Sequence, residues 1–565
     1  MRKYWFVNLV WALVAVMLLP ACEALFGDGA DEDDGGQDGY TDSRTDVLQV
    51  EPANIVFTGE QTLATAQLTA QAVIVEQGEQ RTEELEWYIE IPEVDDAASV
   101  VTITPDSGVG NTELSIALSS TGVPFKRVMV EVWTKDRAAM SMFSIAYEDT
   151  AEIVNIPDEA FLQRLVDEFD LDGDMLISTT EAERITELGV PVDKILTLEG
   201  IEAMPNLVSL YGYTVTPDGV GTITSLDLSA NTKLETLYMA DGALSQLRLP
   251  ESDSVKSVIC SNNQLSTLDV SGCSALESLD CSKNNLKEIV GVKGAASLKS
   301  LNCMANQLTR LDLTGADALT SVDCCENSAL YELLLSDKAP LLSVDVSKTQ
   351  INKLDLSNHT KLTNLRFINC DMVVLNLSGC TSLKEIRYGA TEAKVLELNL
   401  SGCTALEECD LSYLSHGSLW TLNLDGCSAL KLLTVDYQHV KEFDLSDSPL
   451  LEELNLPSYV TGYPSEQYSP SVQALELSKC EKLRKLDCGG CLDLTSLNLE
   501  HNTQLEELII RGSKLTSIDL RHNTLLKVLE AEAYSLKSIY LLPEQTIATM
   551  NYYTDRTEVV RKQLE

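Results

Sequence analysis

Carboxylates are the commonest chemistry-bearing residues in this sequence. Asp and Glu number 87 against 41 Lys and Arg, a formal charge of −46. That balance argues against nucleic-acid phosphate as a partner and says nothing about fold. From Ser225 onward many carboxylates recur at a fixed interval, as at Asp227, Asp269, Asp312 and Asp355. Catalytic carboxylates form a local pair, whereas a periodic series reads as turn and surface residues. The five His are His359, His416, His439, His501 and His522, and no nucleophile motif surrounds them. His501 and His522 repeat one position in successive HNT segments, where a solvated turn and a metal clip both fit. No enzymatic activity is expected.

One acidic cluster stands outside the period: DLDGDMLISTTE, from Asp170 to Glu181. Its three Asp fit a polar turn, and Ser178 with Glu181 makes the S-x-x-E capping box of a following helix, STTEAERITEL. The preceding IPDEAFLQRLVDEF places Phe161, Leu162, Leu165, Val166 and Phe169 on one helical face. The helix–loop–helix resembles an EF-hand. The resemblance implies calcium as a structural cofactor, held by Asp170, Asp172, Asp174, the Leu176 carbonyl, Ser178 and Glu181. Ile177 fits the apolar eighth position, while Met175 stands where Gly normally makes the turn. Polar turn and calcium loop both remain open, and capping is compatible with ligation. With the ILTLEGIEAMPNLVSLYGY that follows, residues 151–194 resemble the helical cap of surface leucine-rich-repeat proteins.

The start of the chain carries a second kind of chemistry. Met-Arg-Lys precedes an apolar run from Tyr4 to Leu19 and then LLPAC, ending at Cys22. This is the pattern of an export signal over residues 1–21. It resembles the bacterial lipoprotein signal, which implies an N-terminal lipid on Cys22 and a membrane contact through that anchor only. An ordinary signal with an incidental Cys is the alternative. Residues 22–46 carry nine acidic side chains and one Arg, and read as a disordered tether. The acidic stretch resembles the export signal of surface lipoproteins in some Gram-negative bacteria, which implies the cell outer membrane as location.

Residues 47–150 shift to short alternating runs such as LEWYIEI, TELSIAL and RVMVEVWT, which predict a β-sandwich. Trp87 and Trp133 are its bulky core or face residues. LQVEP, EWYIEI and the PDSGVG turn at Pro105–Gly110 resemble the BACON domain, an immunoglobulin-like module. That resemblance implies a spacer or a glycan-binding module.

Residues 195–545 repeat a two-strand coil. Each strand reads apolar-x-apolar about a marker residue. One marker series runs from Asp227 to Tyr540 in 14 steps, of which eight are 21 residues and three are 22. A second series, from Tyr238 to Glu530, follows about eleven residues behind. Register held this long predicts a solenoid. The fold class is therefore mostly β: a sandwich, then a right-handed leucine-rich-repeat solenoid with a small helical N-terminal cap. Aromatic residues are only 6% of the chain, so its core must be aliphatic. Four residues past the first-series marker stand Asn231, Cys273, Cys380, Cys403, Cys427, Cys480, Asn502 and Asn523. Exchange of Asn and Cys at one turn position is the leucine-rich-repeat signature. Cys260, Cys281, Cys303, Cys324 and Cys488 fill an inward slot of the second series. Repeated occupancy of a packing slot favours buried thiols, although stacked Cys such as Cys380 and Cys403 come within disulfide range. Spacing by coil length argues against zinc. Residues 546–565 read as a closing cap, with TDRTEVVRKQLE as a short helix.

Steps lengthen around Asp410–Thr434 and reach 32 residues between Asp444 and Glu476. Tyr413, Trp420, Tyr437, Tyr459, Tyr463 and Tyr468 cluster there in sequence. Insertions in repeats map to loops at one rim, and Tyr and Trp supply contact area for partners. These six residues are the ligand-binding candidates, with a tolerated insertion as the alternative. The resemblance to surface lipoproteins implies a monomeric protein that binds a macromolecular ligand, through protein–protein interaction or adhesion. A glycan-binding accessory lipoprotein of polysaccharide uptake is the alternative.

Overall fold

The computed structural model describes residues 42–58, 61–77, 79–91, 101–119, 127–148, 150–387, 395–412, 419–435, 440, 444–456, 472–489 and 491–564. Residues 1–21, with Cys22 and most of the acidic tether, lie outside them. The described chain forms two units, divided near Ile145.

The first unit holds ten strands: β1 (Ser43–Glu51), β2 (Asn54–Thr58), β3 (Leu63–Glu76), β4 (Glu79–Glu84), β5 (Glu86–Glu90), β6 (Val101–Thr104), β7 (Ser107–Val109), β8 (Thr112–Leu118), β9 (Val128–Thr134) and β10 (Met140–Glu148). They make two five-stranded sheets, β1-β3-β8-β6 with β4 beside β3, and β2-β10-β9-β5-β7. Residues alternate across each strand, so β8 buries Leu114, Ile116 and Leu118 while Glu113 faces water. One buried face per antiparallel sheet is what a β-sandwich requires. Trp87 is core, and its Nε1 donates to the Gly110 carbonyl at 3.0 Å. The turn leading there needs glycine twice: a Cβ on Gly108 would stand 2.8 Å from the Trp87 ring, and Gly110 has φ +71°. Trp133 instead lies on a face, donating to Glu131 at 2.9 Å beneath the Arg137 guanidinium. The first strand begins at Ser43, so it includes Ser43–Asp46 of the stretch expected to be tether.

The second unit opens with helix α1 (Glu159–Phe169), capped by Asp158, whose carboxylate accepts from Ala160 N and Phe161 N. Phe161 and Leu165 are fully buried against the first coils. The expected helix STTEAERITEL is a single turn, α2 (Thr179–Ala182), closed by the Ser178–Glu181 capping box. The chain then enters strand β11 (Glu187–Pro191), which pairs in parallel with β12 (Ser209–Tyr213). Leu188 and Val190 are buried and Gly189 makes room for the Tyr211 ring, which a Cβ would meet at 2.5 Å. Tertiary pairing overrides helix propensity here, and the parallel sheet starts at Glu187, eight residues before the expected boundary.

The solenoid follows as expected, with parallel coils in strict register. Second-series strands form continuous parallel sheets of nine and eight strands; first-series strands form shorter sheets of two to four. Inward Leu, Val and Cys make one uninterrupted core from Phe161 to Leu541. The closing helix is not present. Thr549–Tyr552 and Glu558–Arg561 are strands that extend the eight-stranded sheet and a three-stranded first-series sheet. Thr557 Oγ1 donates to Leu536 O at 2.8 Å, and Gln545 Nε2 donates to the carbonyls of Leu520 and Asn523. These bonds prolong the coil pattern, so the terminal residues are two more strands of the solenoid.

The coils are locked by buried amides. Asn263, Asn284, Asn306 and Asn327 each donate through Nδ2 to a carbonyl of the preceding coil, at 2.8–3.0 Å. Each also accepts an amide from the preceding coil through Oδ1: Leu244, Leu265, Leu286 and Leu308. Asn284→Ala would leave several buried backbone groups without partners, at about 1–3 kcal/mol each. In urea unfolding it should lower stability by about 2 kcal/mol or more on that basis, while Ser300→Ala on the outer face stays within about 0.5 kcal/mol. Equal effects of the two substitutions would contradict this assignment.

Candidate ligand-binding face

The marker residues do one repeated job. In the first series Asp227, Asp269, Asp312, Asp355 and Asp444 each accept the amide two residues on, at 2.8–3.1 Å. In the second series Asp280, Asn302, Asp323, Asp345, Asp410 and Asp487 do the same, at 2.8–3.2 Å. Each bond ends a strand by turning the chain. Periodic carboxylates are thus turn elements, as expected. The Thr314 hydroxyl, and then Lys293, hold Asp312 down at about 2. Asp227, Asp269 and Asp444 are lowered by bonds to Ser229, Ser271 and Ser446.

The nine-stranded sheet turns two rows of side chains outward. Ser257, Ser278, Ser300, Ser321 and Ser343 stack in register as one row. Ile259, Asp280, Asn302, Asp323 and Asp345 form the next. Asp323, Asp345 and the half-buried Cys325, two residues past Asp323, bring their ligand atoms within 4.8 Å of one another. Burial, with a bond to Asp323 and nearby carboxylates, pushes the Cys325 thiol up to about 12, so it is not a nucleophile at neutral pH. A rim of alternating charge borders the rows, with Lys256–Glu235 at 2.6 Å and Lys299–Glu277 at 2.7 Å. The strand spacing makes this face about 40 Å long.

At the start of the same sheet the coil lengthens. Tyr211 and Tyr238 are opposed in the ladder but 27 residues apart, against 21 for the next pair. The extra chain is the segment Thr214–Thr222. Asp193 pins it, accepting from Val215 N at 2.9 Å and from both Thr216 N and Oγ1. The Val215 amide leads in holding the Asp193 carboxyl near 2. Thr222 Oγ1 donates to Ile195 O at 2.7 Å, and Gly221 N to Asp241 O at 3.1 Å. Beneath lies a cleft of about 850 Å³. Loss of register was expected around Asp410–Thr434 and between Asp444 and Glu476, and this insertion is an additional one.

The acidic loop is a compact turn. Asp170 accepts Gly173 N and Met175 N, Asp172 accepts Asp174 N, and Asp174 accepts Leu176 N. One oxygen from each Asp lies within 4.8 Å of the others. Met175 itself adopts φ +68°, the left-handed turn that glycine usually supplies. Ile177 is buried, and its carbonyl accepts Val154 N at 2.8 Å. Glu181 is 2% exposed, and its oxygens receive Leu171 N, Ser178 N and Ser178 Oγ. Burial raises the Glu181 carboxyl despite those bonds. The three Asp fit a hard cation; Glu181 and Ser178 are engaged in the capping box, and ligation by Glu181 would have to share its oxygens with those donors.

Of the six aromatic candidates, the structure describes only Trp420. It is 54% exposed and precedes the first-series strand Thr421–Asn423, away from the second-series sheet. Tyr413, Tyr437, Tyr459, Tyr463 and Tyr468 lie outside the described residues. The fourteen repeat cysteines are free thiols, buried except Cys325. Cys380, Cys403 and Cys427 donate to the carbonyls of Leu356, Leu377 and Leu400 at 3.2–3.3 Å, the service Asn231 gives with its amide. Cys488 and Cys491 form a C-x-x-C pair that the coil-length reading overlooked. Both are buried, and their mutual bond, with burial, holds the Cys488 thiol well above its ordinary range.

No family model matches the chain, and no curated protein matches it significantly. Solved structures do match. The functional domain of InlJ from Listeria monocytogenes, which includes a cysteine ladder, aligns at 22% identity over 70% of this chain and 78% of its own, with a TM-score of 0.36. The internalin InlF of the same species aligns at 14% identity over 72% and 91%, with a TM-score of 0.22. YopM, a leucine-rich effector protein from Yersinia pestis, aligns at 21% identity over 58% and 86%, with a TM-score of 0.26. Likeness at this level carries no functional argument.

The lowered marker carboxylates set a pH dependence. A depressed folded-state value contributes stability above the unfolded value near 3.8 and loses it as pH falls through about 2. Stability should therefore drop across that window. Asp312→Asn keeps the turn acceptor without the charge and should shrink the drop, measured as the urea midpoint at both ends of the window. An unchanged pH profile would contradict the assignment.

Proposed function

We propose that the chain is a monomeric, non-enzymatic binding protein of the cell surface that engages a protein ligand through its solenoid. The observation that carries this reading is the outward face of the nine-stranded sheet. A row of small serines lets a partner approach the backbone, and the adjacent row of Asp and Asn offers hydrogen bonds. A face about 40 Å by 20 Å offers on the order of 800 Å², the share of one partner in a standard interface. Anchorage through a lipid on Cys22 to the cell outer membrane, and a BACON-like spacer over residues 47–150, complete the reading. A ligand found on a protein array should lose at least about tenfold in affinity to Ser300→Arg with Ser321→Arg, about 1.4 kcal/mol. Retained affinity in a folded double variant would overturn this choice of face.

The acidic loop is proposed as a structural calcium site that steadies the cap. The support is the convergence of Asp170, Asp172 and Asp174 and the left-handed backbone at Met175. Calorimetry should show calcium binding weaker than about 10⁻⁵ M, as in extracellular modules, and Asp170→Ala with Asp174→Ala should abolish it. No binding heat and no thermal shift in calcium would refute the site.

A further inference from the structure

We propose that the cleft beneath Thr214–Thr222 is a binding subsite for a short neutral oligosaccharide. It uses residues distinct from the serine face, so the two readings succeed or fail separately.

The floor is aromatic. Tyr213 faces outward on β12 and Tyr238 on the next strand, while the ring of Tyr211, opposite Tyr238 in the ladder, lies over Gly189 of β11 beside the cleft. All three are open to solvent, at 42–47% exposure, in a chain with 18 Tyr overall. Tyr213 and Tyr238 line the cleft directly. Flat, exposed rings of this kind offer an apolar plane to the C–H face of a sugar, with a hydroxyl at the edge.

The walls are polar and fixed. Asn262 Nδ2 donates to Asp241 Oδ1 at 2.8 Å, which orients both side chains and leaves Asp241 Oδ2 and Asn262 Oδ1 to accept from hydroxyls. Gln264 and Asp218 add further polar atoms to the lining. A stacking plane beside a carboxylate–amide pair is the chemistry that reads a sugar's hydroxyls. The lining holds two carboxylates and no Lys or Arg, which excludes anionic sugars. The opposite lip is held by the half-buried Asp193, whose three bonds to Val215 and Thr216 shape the cleft before any ligand arrives. Its volume of about 850 Å³ lies within the range of small-ligand sites, about 300–1,000 Å³. A protein partner needs a broader surface than this cleft supplies.

The test is calorimetry of the full chain with cellohexaose, maltohexaose, xylohexaose and mannohexaose, and with an oligogalacturonate as the anionic control. At least one neutral chain should bind, and the control should not. Tyr238→Ala should weaken binding by about tenfold, the scale of one aromatic contact, and Tyr238→Phe should retain most of it. Tyr331→Ala removes an exposed ring outside the cleft and should leave binding unchanged. The three side chains replaced, Tyr213, Tyr238 and Tyr331, are surface groups, and unchanged melting of each variant establishes that it folds. The proposal is overturned if no neutral chain binds the wild-type protein. It is equally overturned if Tyr213→Ala with Tyr238→Ala binds as well as wild type.

Discussion

The solenoid depends on one constraint: every coil must turn inside its own hydrophobic core, and each turn exposes backbone groups there. Each buried amide or carbonyl left without a partner costs about 1–3 kcal/mol, which offsets the burial of about one leucine. The chain meets the constraint with one side chain per turn. In coils 263, 284, 306 and 327 it is an Asn that both donates to and accepts from the coil before it. On the other edge it is Asn231, Cys380, Cys403 or Gln545, which only donate. The orphaned Oδ1 atoms of Asn231, Asn502 and Asn523 show the weaker version of the same device.

Once the turns are satisfied, the rest follows from pleat geometry. Inward positions must be aliphatic or Cys, and outward positions are free to vary. That freedom is used in two ways on the nine-stranded sheet. Its middle carries repeated serines and turn-closing carboxylates, a surface suited to a broad partner. Its first strands carry tyrosines and a pinned insertion, a surface suited to a small one. The acidic turns that close the strands add to the large negative charge of the protein, so part of that charge is a by-product of architecture rather than a device for recognition.

The coil, its period, the first-series Asn and Cys slot and the sandwich were all legible in sequence, because each recurs or alternates. The second Asn ladder was equally legible, since Asn263 and Asn284 stand four residues past their markers just as Asn231 does. The entry strand at Glu187–Pro191 was missed because STTEAERITEL has helical composition, and only pairing with Ser209–Tyr213 makes it a strand. TDRTEVVRKQLE failed for the same reason, with Val559 and Val560 supplying the β-branched pair that its polar residues masked. The cleft could not be read at all. It joins Tyr213, Tyr238 and Asn262 from three coils, and its insertion lies in the first irregular coil, before any period is established.

The claim that interlocking amides hold the stack is tested most directly by native-state hydrogen exchange. The amides of Leu244, Leu265, Leu286 and Leu308, each bonded to an Asn Oδ1, lie at the turns, where exchange is ordinarily fast. The account predicts that they exchange as slowly as the strand amides of the same coils. Exchange at the rate of the exposed turn amides beside them would contradict it.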